Sequence, residues 1–219
     1  MTTHAMWQIA SAVLLASVLA AGLAWYERTR PPARMVAAVA VLVAFAVIGR
    51  ILFAPFPNVK PTTDIVIIAG FALGFAPGWI VGSLTALVSN FYFLQGPWTP
   101  WQMFAWGMCG LLGACVARLS RGNPGRVTFS LICAAAGLGF GVVMNLASAI
   151  NLGGSDIVTS FWVYTVRSLP FDVAHAAANF VFFLIAGPLL IRMLQRLRDR
   201  HDVVWPTAAR EPAHPSTIA

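Results

Sequence analysis

The sequence predicts an all-α protein, a polytopic bundle of membrane helices. Hydrophobic residues make up 59% of its 219 residues and charged residues only 10%, whereas a soluble domain is about 45–50% apolar and about 25% charged. The mean hydropathy is +0.78, and the apolar residues fall in runs separated by short polar or proline-rich segments. Because a spanning helix needs about 20 apolar residues, the chain has length for about seven spans and no room for an extramembrane domain. This composition excludes a water-soluble enzyme, a disordered chain and a fibrous repeat.

The first apolar run, residues 6–25, predicts an N-terminal anchor helix. No Lys or Arg precedes it, while Arg28, Arg30 and Arg34 follow it, which places the N-terminus outside the cell and the next linker in the cytoplasm. A cleaved signal peptide is the alternative, since small residues lie near the end of the run. We assign residues 1–33 to the anchor helix and a cytoplasmic linker.

Residues 34–200 are predicted to form a six-helix membrane core. Its second apolar run is too short to span a bilayer comfortably and fits a helix packed inside the bundle. Ala76-Pro77-Gly78 predicts a tight turn, and Thr99 followed by Pro100 predicts a helix start. The predicted core helices are 35–53, 62–75, 79–93, 101–117, 127–150 and 170–194, and residues 201–219 are expected to be a disordered cytoplasmic tail.

The charge distribution predicts the topology. The net charge is +7, but the basic residues cluster between apolar runs, which is typical of membrane topology signals; we therefore expect no nucleic-acid partner. If the helices alternate in direction, all Lys and Arg residues except Arg50, Lys60 and Arg167 fall on one side. The prediction is a multi-pass plasma-membrane protein with seven spans, its N-terminus outside and its C-terminus in the cytoplasm. The irregular stretches 54–61, 94–100 and 151–169 would then all lie on the outer face.

Polar side chains concentrate in the outer half of the predicted bundle, and such groups are costly in hydrocarbon. A polar cluster at one end predicts a binding cup open to the outside, whereas a channel needs a polar lining throughout. Arg50 is expected to snorkel to the interface, and Lys60 with Asp64 suggests an interfacial ion pair. The cluster contains Arg50, Lys60, Asp64, Asn90, Gln95, Gln102, Asn151, Arg167, Asp172 and His175, with Asn145 and Asn179 about a turn deeper.

The last predicted helix carries a polar stripe. Asp172, His175 and Asn179 are spaced i, i+3 and i+7, which places them on one face, and Ser168 with Pro170 predicts the helix start. The stripe either lines a ligand pocket or holds neighbouring helices together by polar packing. A metal site is not expected, because His175 is the only intramembrane histidine.

Other side chains carry weaker signals. Trp98 and Trp101 fit either an interfacial aromatic belt or a lid over a flat ligand. The three cysteines, Cys109, Cys115 and Cys133, are interpreted as small apolar core residues. Small residues at Gly70/Gly74, Gly137/Gly141 and Ala40/Ala44 fit close helix packing. The sequence has no Walker motif, nucleophile elbow or HExxH, so we expect no catalytic residues and no cofactor.

Three segments resemble the S components of energy-coupling factor (ECF) transporters, the membrane-embedded vitamin-binding subunits. They are Pro57-Asn-Val-Lys-Pro-Thr-Thr-Asp-Ile-Val-Ile67, Gly96-Pro-Trp-Thr-Pro-Trp-Gln102, and Pro170-Phe-Asp-Val-Ala-His175 with Asn179. They occur in the family's order over a six-helix core, and the resemblance covers about three quarters of the chain. The N-terminal helix is a departure, since the family core does not include it.

The resemblance implies a substrate-binding subunit of an ABC importer. Such a subunit captures a vitamin-like molecule outside, docks on a transmembrane coupling subunit driven by two ATPase subunits, and topples in the lipid bilayer to release its cargo. An Ala-x-x-x-Ala motif would contact the coupling subunit; Ala40 and Ala44 match best, and Ala33/Ala37 is a second candidate. The segments look most like the cobalamin-type branch, with riboflavin, a queuosine-type precursor or another ring compound as alternatives.

The polar cluster and the matching segments together nominate the substrate-binding residues. Two other functions stay open: a membrane-bound enzyme acting on a lipid or prenyl group, and a structural subunit without a ligand. The nominated residues are Asn58, Lys60, Asp64, Asn90, Gln95, Trp98, Trp101, Gln102, Asp172, His175 and Asn179.

Overall fold

The computed structural model describes residues 2–152 and 156–199, and within them every regular element is an α-helix. The predicted all-α fold class is confirmed. Four helices of this part of the chain, α2, α5, α6 and α7, are long and apolar enough to cross a membrane. The helices are α1 (Thr2–Thr29), α2 (Ala33–Leu52), α3 (Thr62–Leu73), α4 (Phe75–Phe93), α5 (Thr99–Leu119), α6 (Arg126–Leu152) and α7 (Ile157–Asp199).

Helix α3 is the central element of the bundle. Its 12 residues give a length of about 18 Å, shorter than the roughly 30 Å of hydrocarbon in a bilayer. Every residue from Thr62 to Ala72 is buried, because α2, α4, α5 and α7 all pack around it. The prediction of a short helix inside the bundle is therefore confirmed, and α3 is too short to be a complete span.

Glycines allow the backbones of α3, α4 and α5 to come into direct contact. A Cβ added to Gly70 would lie 3.2 Å from the Cα of Gly110, and one added to Gly110 would lie 2.9 Å from the Cα of Gly78. Small residues at helix interfaces permit this approach in membrane bundles. Gly74, predicted to share the packing motif of Gly70, instead ends α3 with a φ of 98°, a conformation that glycine adopts at little cost.

The turn predicted at Ala76-Pro77-Gly78 is wrong. The chain reverses at Gly74, and α4 begins at Phe75, so Pro77 lies in the first turn of α4. The first backbone N–H groups of a helix have no intrahelical acceptor, so proline is tolerated there. A proline near a helix start therefore resembles a turn signal in the sequence.

The outer connection predicted over residues 151–169 and the helix start predicted at Ser168 and Pro170 are also wrong. Helix α7 already begins at Ile157 and contains Pro170 and Pro188 in its interior. Its early start is explained by Asp156, whose Oδ1 accepts a hydrogen bond of 3.0 Å from the backbone N–H of Thr159, as in an N-cap. The hydrogen bonds from Thr159 lower the pKa of Asp156. Proline inside a membrane helix is tolerated when neighbouring groups satisfy the freed carbonyl.

The cysteine prediction holds at two positions and fails at one. Cys109 and Cys133 are buried, whereas Cys115 is exposed, and all three thiols are free. Cys109 and Cys115 are six residues apart on α5, which is about 600° of helical rotation and puts them on different sides. The predicted tail, residues 201–219, lies outside the described residues.

The extra N-terminal helix packs on one flank of the core. Helix α1 contacts α4 and α5, and Val18 on its inner side is 2% exposed. At one end of the bundle, α2 and α4 end while α3 and α5 begin; we call this the polar end. The opposite end carries Arg118, Arg121 and Arg126, and we call it the basic end.

Candidate ligand-binding site

Arg50 is the centre of a buried polar network at the polar end. Its side chain is only 8% exposed, and its guanidinium donates hydrogen bonds to Ser89 Oγ and, at 2.9 Å, to Asn90 Oδ1. The expectation that Arg50 snorkels to the interface is therefore wrong. Arg50 lies one turn beyond Ala46 on the buried face of α2, so its side chain points to the acceptors on α4.

Two aromatic rings also hold this guanidinium. Its Cζ lies 4.5 Å from the ring centroid of Phe93 and 4.9 Å from that of Trp106. Cation–π contacts of this kind contribute about 0.5–2 kcal/mol, more when the cation is desolvated. Arg50 is thus fixed by α4 and α5, although no carboxylate of the described residues touches it.

Asn90 and Thr99 continue the network into α5. The Asn90 amide donates to Thr99 Oγ1 at 3.0 Å and to Gln102 Oε1 at 2.9 Å. Thr99 Oγ1 also accepts from the backbone N–H of Gly96 at 3.2 Å and donates to Gln95 Oε1 at 2.9 Å. Three nominated residues, Asn90, Gln95 and Gln102, are therefore brought together. Thr99 is the first residue of α5 and makes no capping bond to it; its hydroxyl serves this network.

Trp106 links this network to the middle of the bundle. Its indole N–H donates to Thr63 Oγ1 at 3.2 Å, and Thr63 shares a hydrogen bond of 3.0 Å with Nε2 of His175. The His175 ring packs edge-on against Phe140, with centroids 5.6 Å apart. A continuous line of polar contacts therefore runs from the polar end to His175.

Three nominated residues have polar atoms that are buried without a partner. These are both carboxylate oxygens of Asp64, Nδ1 of His175 and Oδ1 of Asn179. Among the described residues the Asn179 amide donates one hydrogen bond, at 3.3 Å, to the carbonyl of Cys133. The thiol of Cys133, a weak donor, lies beside the Asp64 carboxyl group, so the Asp64 oxygens have no strong hydrogen-bond partner. A buried polar group without a partner costs about 1–3 kcal/mol. The centre of the bundle therefore has unused hydrogen-bonding capacity.

The polar stripe of α7 occupies one buried face, as predicted. Asp172, His175 and Asn179 are 9%, 0% and 0% exposed. Their environments differ, because Asp172 Oδ2 accepts hydrogen bonds from Ser168 Oγ at 2.6 Å and from Asn145 Nδ2 at 3.4 Å. Asp172 thus fits the packing interpretation, whereas the other two have free polar atoms.

The Gly137/Gly141 motif of α6 lies against this stripe. A Cβ on Gly137 would lie 2.7 Å from the Asn179 amide nitrogen, and one on Gly141 would lie 2.9 Å from Asp172 Oδ2. The predicted close packing is confirmed here, and it accounts for how α6 and α7 pair along their length.

The ion pair predicted between Lys60 and Asp64 is wrong. Neither carboxylate oxygen of Asp64 pairs with Lys60, because Asp64 is enclosed by the bundle, at 3% exposed, whereas Lys60 belongs to the loop before α3. Lys60 instead interacts electrostatically with Arg50. In the same loop Asn58, with a φ of 58°, donates a hydrogen bond of 3.1 Å to the carbonyl of Phe171, which ties the loop to α7.

The two nominated tryptophans pack against different helices. Trp98 is 39% exposed and lines a cavity of about 80 Å³ against α6, whereas Trp101 lines a groove with Val13 and Leu14 of α1. The prediction of a common lid is therefore wrong. Trp98 precedes the first residue of α5, whereas Trp101 lies in the first turn of that helix, on the flank that α1 covers.

Sequence reasoning missed Ser89, Thr63 and Trp106. Serine and threonine on a membrane helix often bond to their own backbone, so their presence alone predicts no tertiary contact. The available signal was the polar triplet Thr62-Thr63-Asp64 at the start of a helix too short to reach across the bilayer. Among the described residues, no group of three or more His, Cys, Asp or Glu is arranged to hold a metal ion.

We expect Thr99→Val to destabilise the polar end. Valine has nearly the same shape but removes all three hydrogen bonds of the Thr99 hydroxyl, at a cost of about 1–3 kcal/mol. For a chain of this size, each kcal/mol lowers the Tm by about 2–4 °C, measurable by tryptophan fluorescence in detergent. The control is Thr128→Val, which changes an exposed threonine of α6. An equal Tm for the two variants would contradict this role of Thr99.

Comparisons with known proteins give this chain no relatives: no family model, no curated protein and no solved structure matches it.

Proposed function

We propose that this protein is the membrane-embedded substrate-binding subunit of an ECF-type importer for a vitamin or related small molecule. The observation that carries the proposal is the set of buried, unpartnered polar atoms on Asp64, His175 and Asn179. Hydrocarbon offers these atoms no hydrogen-bond partner, so leaving them unpaired destabilises the ligand-free bundle. A bound polar molecule would supply the missing hydrogen bonds, as expected of a site built for a ligand.

The position of these atoms supports capture from one side. Of the three residues, His175 connects through Thr63, Trp106 and Arg50 to the polar end, and the opposite, basic end carries Arg118, Arg121 and Arg126. Basic clusters favour the cytoplasmic side, so the proposal places the polar end outside, the N-terminus outside and the C-terminus in the cytoplasm of a plasma-membrane protein. The loops at residues 53–61 and 94–98 would then cover the site and have to open for the ligand.

The surface of α2 supports docking to a coupling subunit with its two ATPases. Ala33, Ala37, Ala40 and Ala44 are all exposed, and their spacing of four, three and four residues puts them on one face of the helix. The two candidate motifs therefore form a single stripe, which we call the alanine stripe. Such a stripe permits close approach of another membrane helix. Helix α1 packs on α4 and α5 instead, and the stripe stays exposed beside it.

Native mass spectrometry of the purified protein tests the binding function. We expect the wild type to retain one small molecule, and His175→Leu and Asn179→Leu to lose it. Because a bound ligand itself raises the Tm, the Tm of each variant is compared with that of wild type dialysed free of the molecule, and we expect it to be equal or higher. The Tm should not fall, because each leucine removes a buried polar group that lacks a full set of partners. Ser130→Ala is the control, since this buried serine bonds only to its own helix at Arg126.

Two outcomes contradict the proposal. A wild-type protein without any retained molecule, also after expression in rich medium, would favour a structural subunit. Retention unchanged in both leucine variants would show that the molecule binds elsewhere. Turnover of a lipid or prenyl substrate in detergent, without ATP or a partner, would favour the enzyme alternative.

A further inference from the structure

Lys60 lies near two other basic residues, Arg50 and His175, at the polar end, and no carboxylate of the described residues pairs with any of the three. The charge of Arg50 acts on Lys60, and that of Lys60 on His175, so Lys60 lies within electrostatic range of both residues. None of them makes an ion pair with another described residue: Arg50 bonds to a hydroxyl and an amide, and His175 to Thr63. Cations inside a membrane protein usually pair with carboxylates, yet neither Arg50 nor Lys60 pairs with one among the described residues.

The carboxylates of the neighbouring helices are directed elsewhere. Asp172 is held by Ser168 and Asn145 at the α6–α7 interface. Asp64 faces the thiols of Cys109 and Cys133, which are weak hydrogen-bond donors. Neither of these carboxyl groups therefore neutralises Arg50 or Lys60.

Arg50 retains unused donors that are held in place. Only Nη1 donates hydrogen bonds to the described residues, which leaves Nε and Nη2 free. The contacts with Phe93 and Trp106 fix the plane of the guanidinium, so these donors are oriented before any ligand arrives. A guanidinium presents its donors in a fork that matches a carboxylate or phosphate group.

Lys60 is a second cation at the polar end. It is partly buried in the loop before α3, and burial followed by the charge of Arg50 lowers the pKa of Lys60 to about 8. A neighbouring carboxylate would have the opposite effect and favour the charged form. Lys60 therefore behaves as a cation without a partner.

We propose that Arg50 and Lys60 bind an anionic group of the ligand, a carboxylate or a phosphate, at the polar end of the bundle. This inference rests on the proposed binding function and narrows it to negatively charged substrates. The anion would take up the free donors of Arg50 and the ammonium of Lys60. The remainder of the molecule would extend towards Thr63 and His175.

Anion binding can be tested on the full-length protein in detergent, dialysed to remove retained molecules. The probes are inorganic phosphate and acetate, each titrated against chloride at constant ionic strength and pH 7, with Tm as the readout. We expect a saturable rise in Tm with at least one probe, and the probe with the lower apparent Kd distinguishes phosphate from carboxylate recognition. Arg50→Gln and Lys60→Gln should each weaken the apparent Kd at least tenfold. Arg34→Gln is the control, since this exposed arginine lies at the other end of the same helix.

The outcomes separate this inference from the binding function itself. The absence of a saturable rise in Tm, or an equal rise in wild type, Lys60→Gln and Arg34→Gln, would overturn the anion site. A retained molecule that mass spectrometry identifies as neutral would also overturn it, while leaving the binding function intact. Conversely, a saturable phosphate or acetate effect lost in Lys60→Gln would support the anion site even if no molecule is retained. Lys60 lies in a loop, so its variant carries the test if Arg50→Gln does not fold.

Discussion

Gly110→Leu should prevent assembly of the helix bundle. A Cβ at this position would lie 2.9 Å from the Cα of Gly78 and closer still to the Gly78 carbonyl oxygen. These are backbone atoms, so no side-chain rotation relieves the clash, and α4 and α5 would have to separate. Overpacking a core costs about 1–3 kcal/mol and sometimes more; at a junction shared with α3 we expect the upper end or beyond. The expected result is aggregation or loss of the monodisperse peak in size-exclusion chromatography.

Gly139→Leu is the matched control. Gly139 is also a glycine inside a long apolar helix, but it is exposed, and a Cβ there meets nothing within 4 Å. Leucine has a better helix propensity than glycine by almost 1 kcal/mol, so this variant should be as stable as the wild type or slightly more so. A normal elution profile and Tm for Gly110→Leu would contradict a direct backbone contact between α4 and α5 at this junction.

The fold class was predictable because hydrocarbon imposes strong constraints on sequence. Long apolar runs with few charges identify the helices, and a run too short to cross the bilayer identified α3 as an internal element. Helix boundaries near proline were not predictable in the same way. Pro77 lies in the first turn of α4, where its missing N–H costs nothing, and Pro170 lies in the interior of α7, where neighbouring groups have to satisfy the freed carbonyl.

The location of the polar residues was predictable, whereas their pairing was not. A polar group in a membrane helix is costly wherever it faces lipid, so the cluster had to point inward at one end. Which atoms meet depends on the rotation of each helix about its axis, and this rotation is set by packing. Arg50 illustrates the difference: near the end of an apolar run it fits snorkelling, but its place one turn after Ala46 on the buried face of α2 aims it at Ser89 and Asn90.

The polar stripe on α7 also shows that its position could be predicted from the sequence, whereas its hydrogen bonding could not. Its spacing placed Asp172, His175 and Asn179 on one face, which the burial of all three confirms. The sequence did not distinguish a satisfied carboxylate from unsatisfied ring and amide atoms, because that depends on Ser168, Asn145 and Thr63. The unpartnered atoms, rather than the stripe as a whole, now carry the proposed binding site.

The double variant Ala40→Trp/Ala44→Trp should abolish uptake while leaving ligand retention unchanged. Both alanines are exposed on α2, so two indoles fit the isolated protein without displacing its core. They would, however, keep the helix of a coupling subunit from the close approach that the alanine stripe permits. We expect uptake of the retained molecule to fall to the background of cells lacking the protein. Co-purification with a coupling subunit should be lost in parallel.

Ala135→Trp distinguishes this effect from a general response to bulky residues in lipid. Ala135 is likewise exposed, but it lies on α6, so the same substitution there should leave uptake unchanged. If the α2 variant transports normally, the alanine stripe is not the docking surface. If it loses its retained molecule as well, the indoles have disturbed the Arg50 end of α2, and the separation of docking from binding fails. If the α2 variant retains its ligand but does not support uptake, the two functions belong to opposite faces of α2. The buried face then holds Arg50 for the ligand, and the exposed face meets the partner.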